Sequence, residues 1–105
     1  MSKRKIEKII CFIKDFLKTR HIKASKVVLF GSYAKKTFTK DSDVDIAIVS
    51  PNFEHKDIFK RVEMLRGLNW ALVKKFQLPF DLVTVSSSEW KKASSLVVSF
   101  VKEVV

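Results

Sequence analysis

The sequence is poor in cysteine, glycine and proline, with one, two and two of these residues among 105. The lone Cys11 cannot form an internal disulfide, which favours a reducing, cytoplasmic environment. Because it borders the apolar face of a predicted helix, we expect a packed rather than a reactive thiol. The scarcity of glycine and proline excludes a collagen-like or linker-rich chain and predicts short loops.

Long apolar runs and internal repeats are also missing. No run of eighteen apolar residues occurs, and the apolar stretch at residues 9–17 is interrupted by Lys14 and Asp15. Neither a membrane span nor a signal peptide is predicted, so we expect no membrane contact. The length predicts one domain over residues 1–105, without a separate substrate domain. Any larger assembly would then need a partner protein or a second copy of the chain.

Acidic residues are scarce relative to basic ones, and the net charge is +10. Residues 1–26 hold nine basic residues against Glu7 and Asp15, a net charge of +7. Such a surface could bind nucleic acid or an acidic protein, or simply face water. The lysines are interleaved with predicted core positions and no aromatic residues alternate with them, so nucleic-acid binding stays possible but is not favoured.

The chain has two apolar runs on either side of a polar stretch, residues 31–43. The runs Lys26–Phe30 and Val44–Val49 predict two short strands. Side chains alternate along a strand, so Asp43 and Asp45 share one face, roughly 7 Å apart. Like charges repel and Asp is uncommon in strands, which suggests a cation held between these carboxylates. Hard oxygen ligands of this kind suit Mg²⁺.

Helical periodicity predicts the elements that cover the sheet. Ser2 is the expected N-cap of the first of them, and Ser32 that of a short turn. Ser86 and Glu89 have the spacing of a capping box, which begins a last helix with an apolar stripe reaching Val104. Surplus apolar residues outside the stripe, Val98 and Val105, predict either a contact surface for another chain or extra core burial. Trp70 is expected in the core. The predicted helical segments are Lys3–Thr19, residues 33–36, residues 55–76 and the segment that follows Ser86.

A third strand, Phe80–Val85, follows the long helix. The first two strands should be antiparallel, and a helical crossover should set the third parallel to the second. That arrangement brings Asp81 to the same sheet end as Asp43 and Asp45. The alternative is a solvated Asp81 in the turn at Leu78-Pro79. The predicted fold class is α/β, with a small mixed sheet of three or more strands covered by helices.

Gly31-Ser32, ten residues and then Asp43-Val44-Asp45 resemble the signature of the DNA polymerase beta-type nucleotidyltransferase superfamily. The short chain most resembles its minimal nucleotidyltransferases, the partners of HEPN proteins in toxin–antitoxin pairs. The resemblance implies ATP as substrate, two Mg²⁺ ions, with Mn²⁺ as a possible substitute, and AMP transfer to a hydroxyl of a HEPN-type helical protein. The alternative is a Gly-Ser turn leading into a strand with a solvated acidic start.

The resemblance also implies residue roles. Asp43, Asp45 and Asp81 would be the catalytic residues and metal ligands, and the nucleotide would be bound by Gly31, Ser32, Lys35 and Lys36. Many relatives have an Arg-Gly pair where this chain has Lys35-Lys36. This departure leaves open a second function, in which the chain neutralises a HEPN-type partner by binding it without catalysis.

Overall fold

The computed structural model describes residues 2–35, 37, 39, 41–97 and 101–103, with only the backbone at 34, 35, 93–97 and 101–103. A 3₁₀ turn at Pro51–Phe53 accompanies the regular elements. In chain order these are α1 Lys3–Thr19, β1 Lys26–Phe30, α2 Gly31–Lys35, β2 Val44–Val49, α3 Ile58–Met64, α4 Leu68–Phe76, β3 Phe80–Val85, α5 Ser87–Val97 and β4 Val101–Glu103.

The strands form one four-stranded sheet in the order β3-β2-β1-β4. β1 is antiparallel to β2 and β4, and β2 is parallel to β3. The predicted mixed sheet and the orientations of its first three strands are therefore confirmed. None of the helices in the described ranges combines the length and the apolar character that crossing a bilayer requires.

Helix α1 has the predicted bounds, and Ser2 caps it by accepting a hydrogen bond from the Lys5 amide at 3.1 Å. Its apolar stripe includes Ile9, Ile13 and Leu17, which are fully buried against the sheet. Each such side chain contributes about 1.5–3 kcal/mol by leaving water. Cys11 was expected to be packed, and this is wrong, because its position turns away from that stripe and is exposed.

One face of the sheet carries most of the described core. Side chains of alternate residues on β1, β2 and β3 pack there with α1 and α4, because strand side chains alternate between faces. The buried strand residues on this face are Val27, Leu29, Val44, Ile46, Ile48 and Phe80. The opposite face carries Asp45 and, further along β2, the buried Ala47 and Val49. The alternation therefore holds the aspartate side chain away from the main core.

The long helix predicted over residues 55–76 is two helices. α3 ends at Met64, and α4 begins after Gly67, whose φ of +89° lies in the left-handed region that favours glycine. Arg20 stabilises this junction by donating hydrogen bonds to the carbonyl oxygens of Met64 at 3.1 Å and Arg66 at 2.6 Å. These carbonyls would otherwise be unsatisfied at the helix end, so the guanidinium replaces the intrahelical partners.

The break changes which apolar residues reach the core. Leu68 and Leu72 of α4 are fully buried, whereas Phe59 and Val62 of α3 are 82% and 61% exposed. The two helices do not share one continuous helical phase, so a single stripe cannot bury both. The core placement of Trp70 is also wrong, because its side chain is 67% exposed beneath the Lys74 ammonium group.

The last helix is shorter than predicted. α5 ends at Val97, and Val101–Glu103 form β4 beside β1 instead of continuing an apolar helical stripe. The rest of the predicted stripe, at Phe100 and Val104, lies outside the described residues, as do Val98 and Val105. β-branched valines favour strands, and pairing with β1 overrides the helical spacing.

The capping box at the start of α5 is confirmed. The Ser86 amide donates to Glu89 Oε1 at 2.8 Å, and the Glu89 amide donates to Ser86 Oγ at 3.2 Å. Arg61 of α3 donates to the same carboxylate at 2.7 Å. The hydrogen bond from Arg61 and then that from the Ser86 amide lower the pKa of Glu89 to about 2. This carboxylate therefore joins α3 to the start of α5.

We expect Glu89→Gln to lower the free energy of unfolding at pH 7 by about 0.5–1 kcal/mol, since the screened Arg61 pair is lost. The lowered pKa means that ionised Glu89 stabilises the fold above its ordinary pKa of 4.5, and that this contribution is lost as the pH falls toward 2. Urea unfolding at several pH values should show the difference from wild type narrowing over that interval. Glu63→Gln, at an exposed pair with Arg66, is the control, and an equal loss there would contradict the prediction.

Candidate active site

The ends of β2 and β3 bring two of the predicted carboxylates side by side. Asp45 and Asp81 are register partners in the parallel ladder, and neighbouring strands lie about 4.8 Å apart. Register partners share a face of the sheet, so both carboxylates lie on the side opposite the main core. Asp43 is exposed and lies two residues before Asp45, just outside β2. The predicted convergence of β2 and β3 at this sheet end is thus observed.

The carboxylates interact electrostatically. Partial burial raises the pKa of Asp45 above its ordinary value, and the negative charges of Asp81 and then Asp43 raise it further. The charged form of Asp45 is therefore destabilised by its surroundings. A cation at this sheet end would relieve the repulsion, and carboxylate oxygens are the donors that Mg²⁺ prefers.

The side chains as placed do not form a complete metal centre. In the described part of the chain, no three or more Asp, Glu, His or Cys side chains are arranged to bind a metal ion. The donor chemistry and the mutual repulsion of Asp43, Asp45 and Asp81 nevertheless suit a divalent cation. Their assignment as metal ligands stays a prediction.

Gly31 lies against Asp45 where β1 passes directly into α2. Its φ of +72° is left-handed, and a Cβ at this position would collide with Asp45 Oδ2 and lie 3.0 Å from Asp45 Cγ. Only glycine permits both the turn and this close approach. The sequence predicted Ser32 as the cap of residues 33–36, but α2 already begins at Gly31 and Ser32 is its second residue.

Thr39 and Ser42 are joined by hydrogen bonds just before β2. The Thr39 amide donates to Ser42 Oγ at 2.9 Å, and the Ser42 amide donates to the Thr39 carbonyl at 3.1 Å. This turn fixes the approach to Asp43. Lys35 is the last residue of α2, and only its backbone is described. Lys36 lies outside the described residues. Their proposed contact with phosphate stays a prediction.

Asn69 is a neighbour of the site that sequence reasoning missed. Its Nδ2 donates to the Phe80 carbonyl at 3.0 Å, which ties α4 to the beginning of β3. Asn69 also lies between a hollow lined by Asp43 and a groove lined by Asp81. The available signal was one amide between Leu68 and Trp70 in an apolar helical segment, and it pointed to no particular partner.

Asp45→Asn should stabilise the protein without ligands, because it removes a charge that burial and two neighbouring carboxylates disfavour. We expect the midpoint of thermal unfolding to rise by roughly 2–8 °C, the effect of about 0.5–1 kcal/mol in a chain of this size. Differential scanning calorimetry at pH 7 in low salt measures it. Asp15→Asn, an exposed change on α1, is the control, and a lower midpoint for Asp45→Asn would disprove the repulsion.

Comparison with known proteins places this geometry in a family. The sequence model of the nucleotidyltransferase domain matches residues 6–103. No curated protein matches the chain. A crystal structure described as a toxin–antitoxin with AMP-PNP is 26% identical with a TM-score of 0.60, and the match covers 100% of this chain and 73% of that one.

Two further solved structures share the fold. One is the toxin–antitoxin MntA-HpeT in a variant with two Asp→Glu substitutions, at 24% identity, a TM-score of 0.61 and coverage of 100% and 73%. The other, from Sulfolobus solfataricus, is assigned as a nucleotidyltransferase, at 20% identity, a TM-score of 0.51 and coverage of 88% and 82%. With the domain match spanning nearly all of the sequence, this chain belongs to the nucleotidyltransferase domain family.

Proposed function

We propose that this chain transfers AMP from ATP to a hydroxyl group of a HEPN-type partner protein and so acts as an antitoxin. The observation that carries the proposal is the pairing of Asp45 with Asp81 at a sheet end closed by Gly31, in a nucleotidyltransferase domain. Support for the nucleotide and the partner comes from the similar structure described as a toxin–antitoxin with AMP-PNP, an analogue of ATP.

The chemistry follows from the residues at this sheet end. The acceptor oxygen attacks the α-phosphorus of ATP, the bond from that phosphorus to the bridging oxygen breaks, and pyrophosphate leaves. Two divalent cations, when bound, would neutralise the triphosphate and polarise the attacking oxygen. Asp43 and Asp45 would hold both ions, and Asp81 would complete the second site and accept the hydroxyl proton.

The phosphates would lie along the turn between β1 and α2. Gly31 leaves room there for close approach of the backbone, and Ser32 with neighbouring amides would bind the β- and γ-phosphates. Lys35 and Lys36 would neutralise phosphate charge. This division of roles places the leaving group near α2 and the acceptor near β3.

A second candidate function is a scaffold that binds the partner without catalysis. The feature that favours it is Lys35-Lys36, which replaces the Arg-Gly pair of many relatives and places a side chain where they have none. A stable complex with the partner, combined with no transfer of labelled nucleotide, would support this function. A complex together with transfer would support the enzyme.

We expect Asp43→Ala, Asp45→Ala and Asp81→Ala each to reduce transfer at least roughly 100-fold, and the double variants to lose little more, because the three act as a unit. The assay incubates the protein with α-labelled ATP, Mg²⁺ and the product of the neighbouring gene, and follows label on that protein. Asp15→Ala is the matched control. Near wild-type transfer by Asp81→Ala alone would remove Asp81 from the site.

The partner complex should weaken only partly between low and high salt. The exposed basic residues of α1 speed encounter with an acidic protein, but apolar contacts are not screened. RNA binding should instead collapse, because counterion release dominates it. Affinities for the partner and for generic single-stranded RNA across a salt series test this. Tight RNA binding without a protein complex would overturn the antitoxin function.

A further inference from the structure

β3 is an edge strand of the sheet, and a groove runs along its open side. We call it the edge groove. One wall is formed by residues 81–84 of β3 and the other by the α3–α4 segment, including Ile58, Val62 and Asn69. Four consecutive strand residues line it, so the groove follows the edge of the strand and not one of its faces. Asp81 lies at one end, and the groove therefore opens into the candidate active site.

Hydrogen-bond register shows which backbone groups face the groove. The amides of Val44 and Ser50 donate to the carbonyls of Pro79 and Val85 at the two ends of the β2/β3 ladder. In a parallel ladder the bonding residues of one strand alternate, so residues 79, 81, 83 and 85 bond to β2. The amide and carbonyl groups of Phe80, Leu82 and Thr84 point to the open side.

Side chains donate hydrogen bonds to the outward carbonyls at the two ends of β3, at Phe80 and Thr84, but no described side chain donates to that of Leu82 between them. Asn69 Nδ2 donates to the Phe80 carbonyl at 3.0 Å, and Arg61 Nη1 donates to the Thr84 carbonyl at 3.4 Å. Among the hydrogen bonds of the described residues, none uses the outward amide or carbonyl of Leu82. A donor and an acceptor are thus available at the centre of the groove, the pair that an added strand residue satisfies.

The helical wall of the groove has exposed apolar side chains next to the charged Glu63 and Arg66. Ile58 and Val62 are 60% and 61% exposed, and Val83 on the strand is 39% exposed. Free backbone groups next to exposed apolar side chains suit an extended peptide. Hydrogen bonds to the backbone groups give such a peptide its affinity, and contacts with the apolar side chains give it specificity. The continuity with Asp81 indicates that such a peptide would reach the catalytic carboxylates.

We propose, resting on the protein-directed transfer proposed above, that the edge groove binds an extended acceptor segment of the partner protein by adding a short strand to β3. The segment residue opposite Leu82 exchanges hydrogen bonds with its backbone and points an apolar side chain toward Ile58 and Val62. The adjacent residue, opposite Asp81, has its side chain on the face of Asp45 and carries the hydroxyl. The substrate class is therefore a hydroxyl residue directly beside an apolar one.

A second copy of the chain does not suit the edge groove. Its own β3 has α3 and α4 alongside the same open edge, so pairing two β3 strands would require the helical walls of both copies to occupy the same space. A helix with its side chains is about 10 Å across, whereas adjacent strands lie about 4.8 Å apart. A lone segment without a helix at its edge meets no such obstacle.

The test compares Val62→Asp with Phe59→Asp, a change of the same kind on the same helix at a residue that does not line the groove. Both positions are exposed, so both variants should keep the thermal midpoint and its increase with Mg²⁺ and AMP-PNP. We expect Val62→Asp to reduce label transfer to the partner protein at least 10-fold through a higher KM, and Phe59→Asp to change it less than 2-fold. Hydrogen exchange should show the Leu82 amide protected in the complex and unprotected in the free protein.

The outcomes separate the two proposals. If the wild type transfers no label, the proposed reaction is overturned. Hydrogen exchange at the Leu82 amide in the complex then still shows whether the partner binds along β3. Normal transfer by Val62→Asp, equal losses in both variants, or an unprotected Leu82 amide overturns the edge groove as the acceptor site. Loss of the AMP-PNP effect in Val62→Asp would assign the groove to the nucleotide, and dimerisation through β3 would assign it to a second copy.

Discussion

The register of β2 against its two neighbours is the constraint on which the candidate site depends. It sets Asp45 beside Asp81 on one side and beside the end of β1, where Gly31 follows, on the other. Because side chains alternate, a slip of one residue would turn Asp45 into the main core and Ile46 toward the carboxylates. The apolar residues of β2 prevent that slip, so core packing and the placement of charge are enforced by the same alternation.

Local sequence patterns correctly predicted the elements that depend only on residues close together in the chain. The stripe of α1, the cap at Ser2, the three strands and the Ser86–Glu89 box all follow from spacing over a few residues. The pairing of Asp45 with Asp81 was predictable because a helical crossover brings β3 alongside β2. The role of these residues in a site stays a prediction.

The errors arise where distant contacts decide the structure. The helix predicted over residues 55–76 breaks at Gly67, and the arginine that satisfies the carbonyls of Met64 and Arg66 comes from the end of α1. Val101 has a spacing compatible with the predicted helix, and its pairing with the edge of β1 makes it part of a strand instead. Exposure of the α3 side chains follows from the same break, so the edge groove could not be anticipated from a single apolar stripe.

The parallel pairing of β2 with β3 has a consequence for how the protein becomes active. A short connection that includes α2 links β1 to its antiparallel neighbour β2. β3 is parallel to β2, so the longer segment with α3 and α4 must carry the chain from the end of β2 back to the start of β3. Closing the longer connection costs more chain entropy than closing the connection between β1 and β2. A chain in which β3 has not yet paired with β2 lacks one half of its carboxylate pair. Formation of the β2/β3 ladder is therefore the step that brings the two carboxylates together.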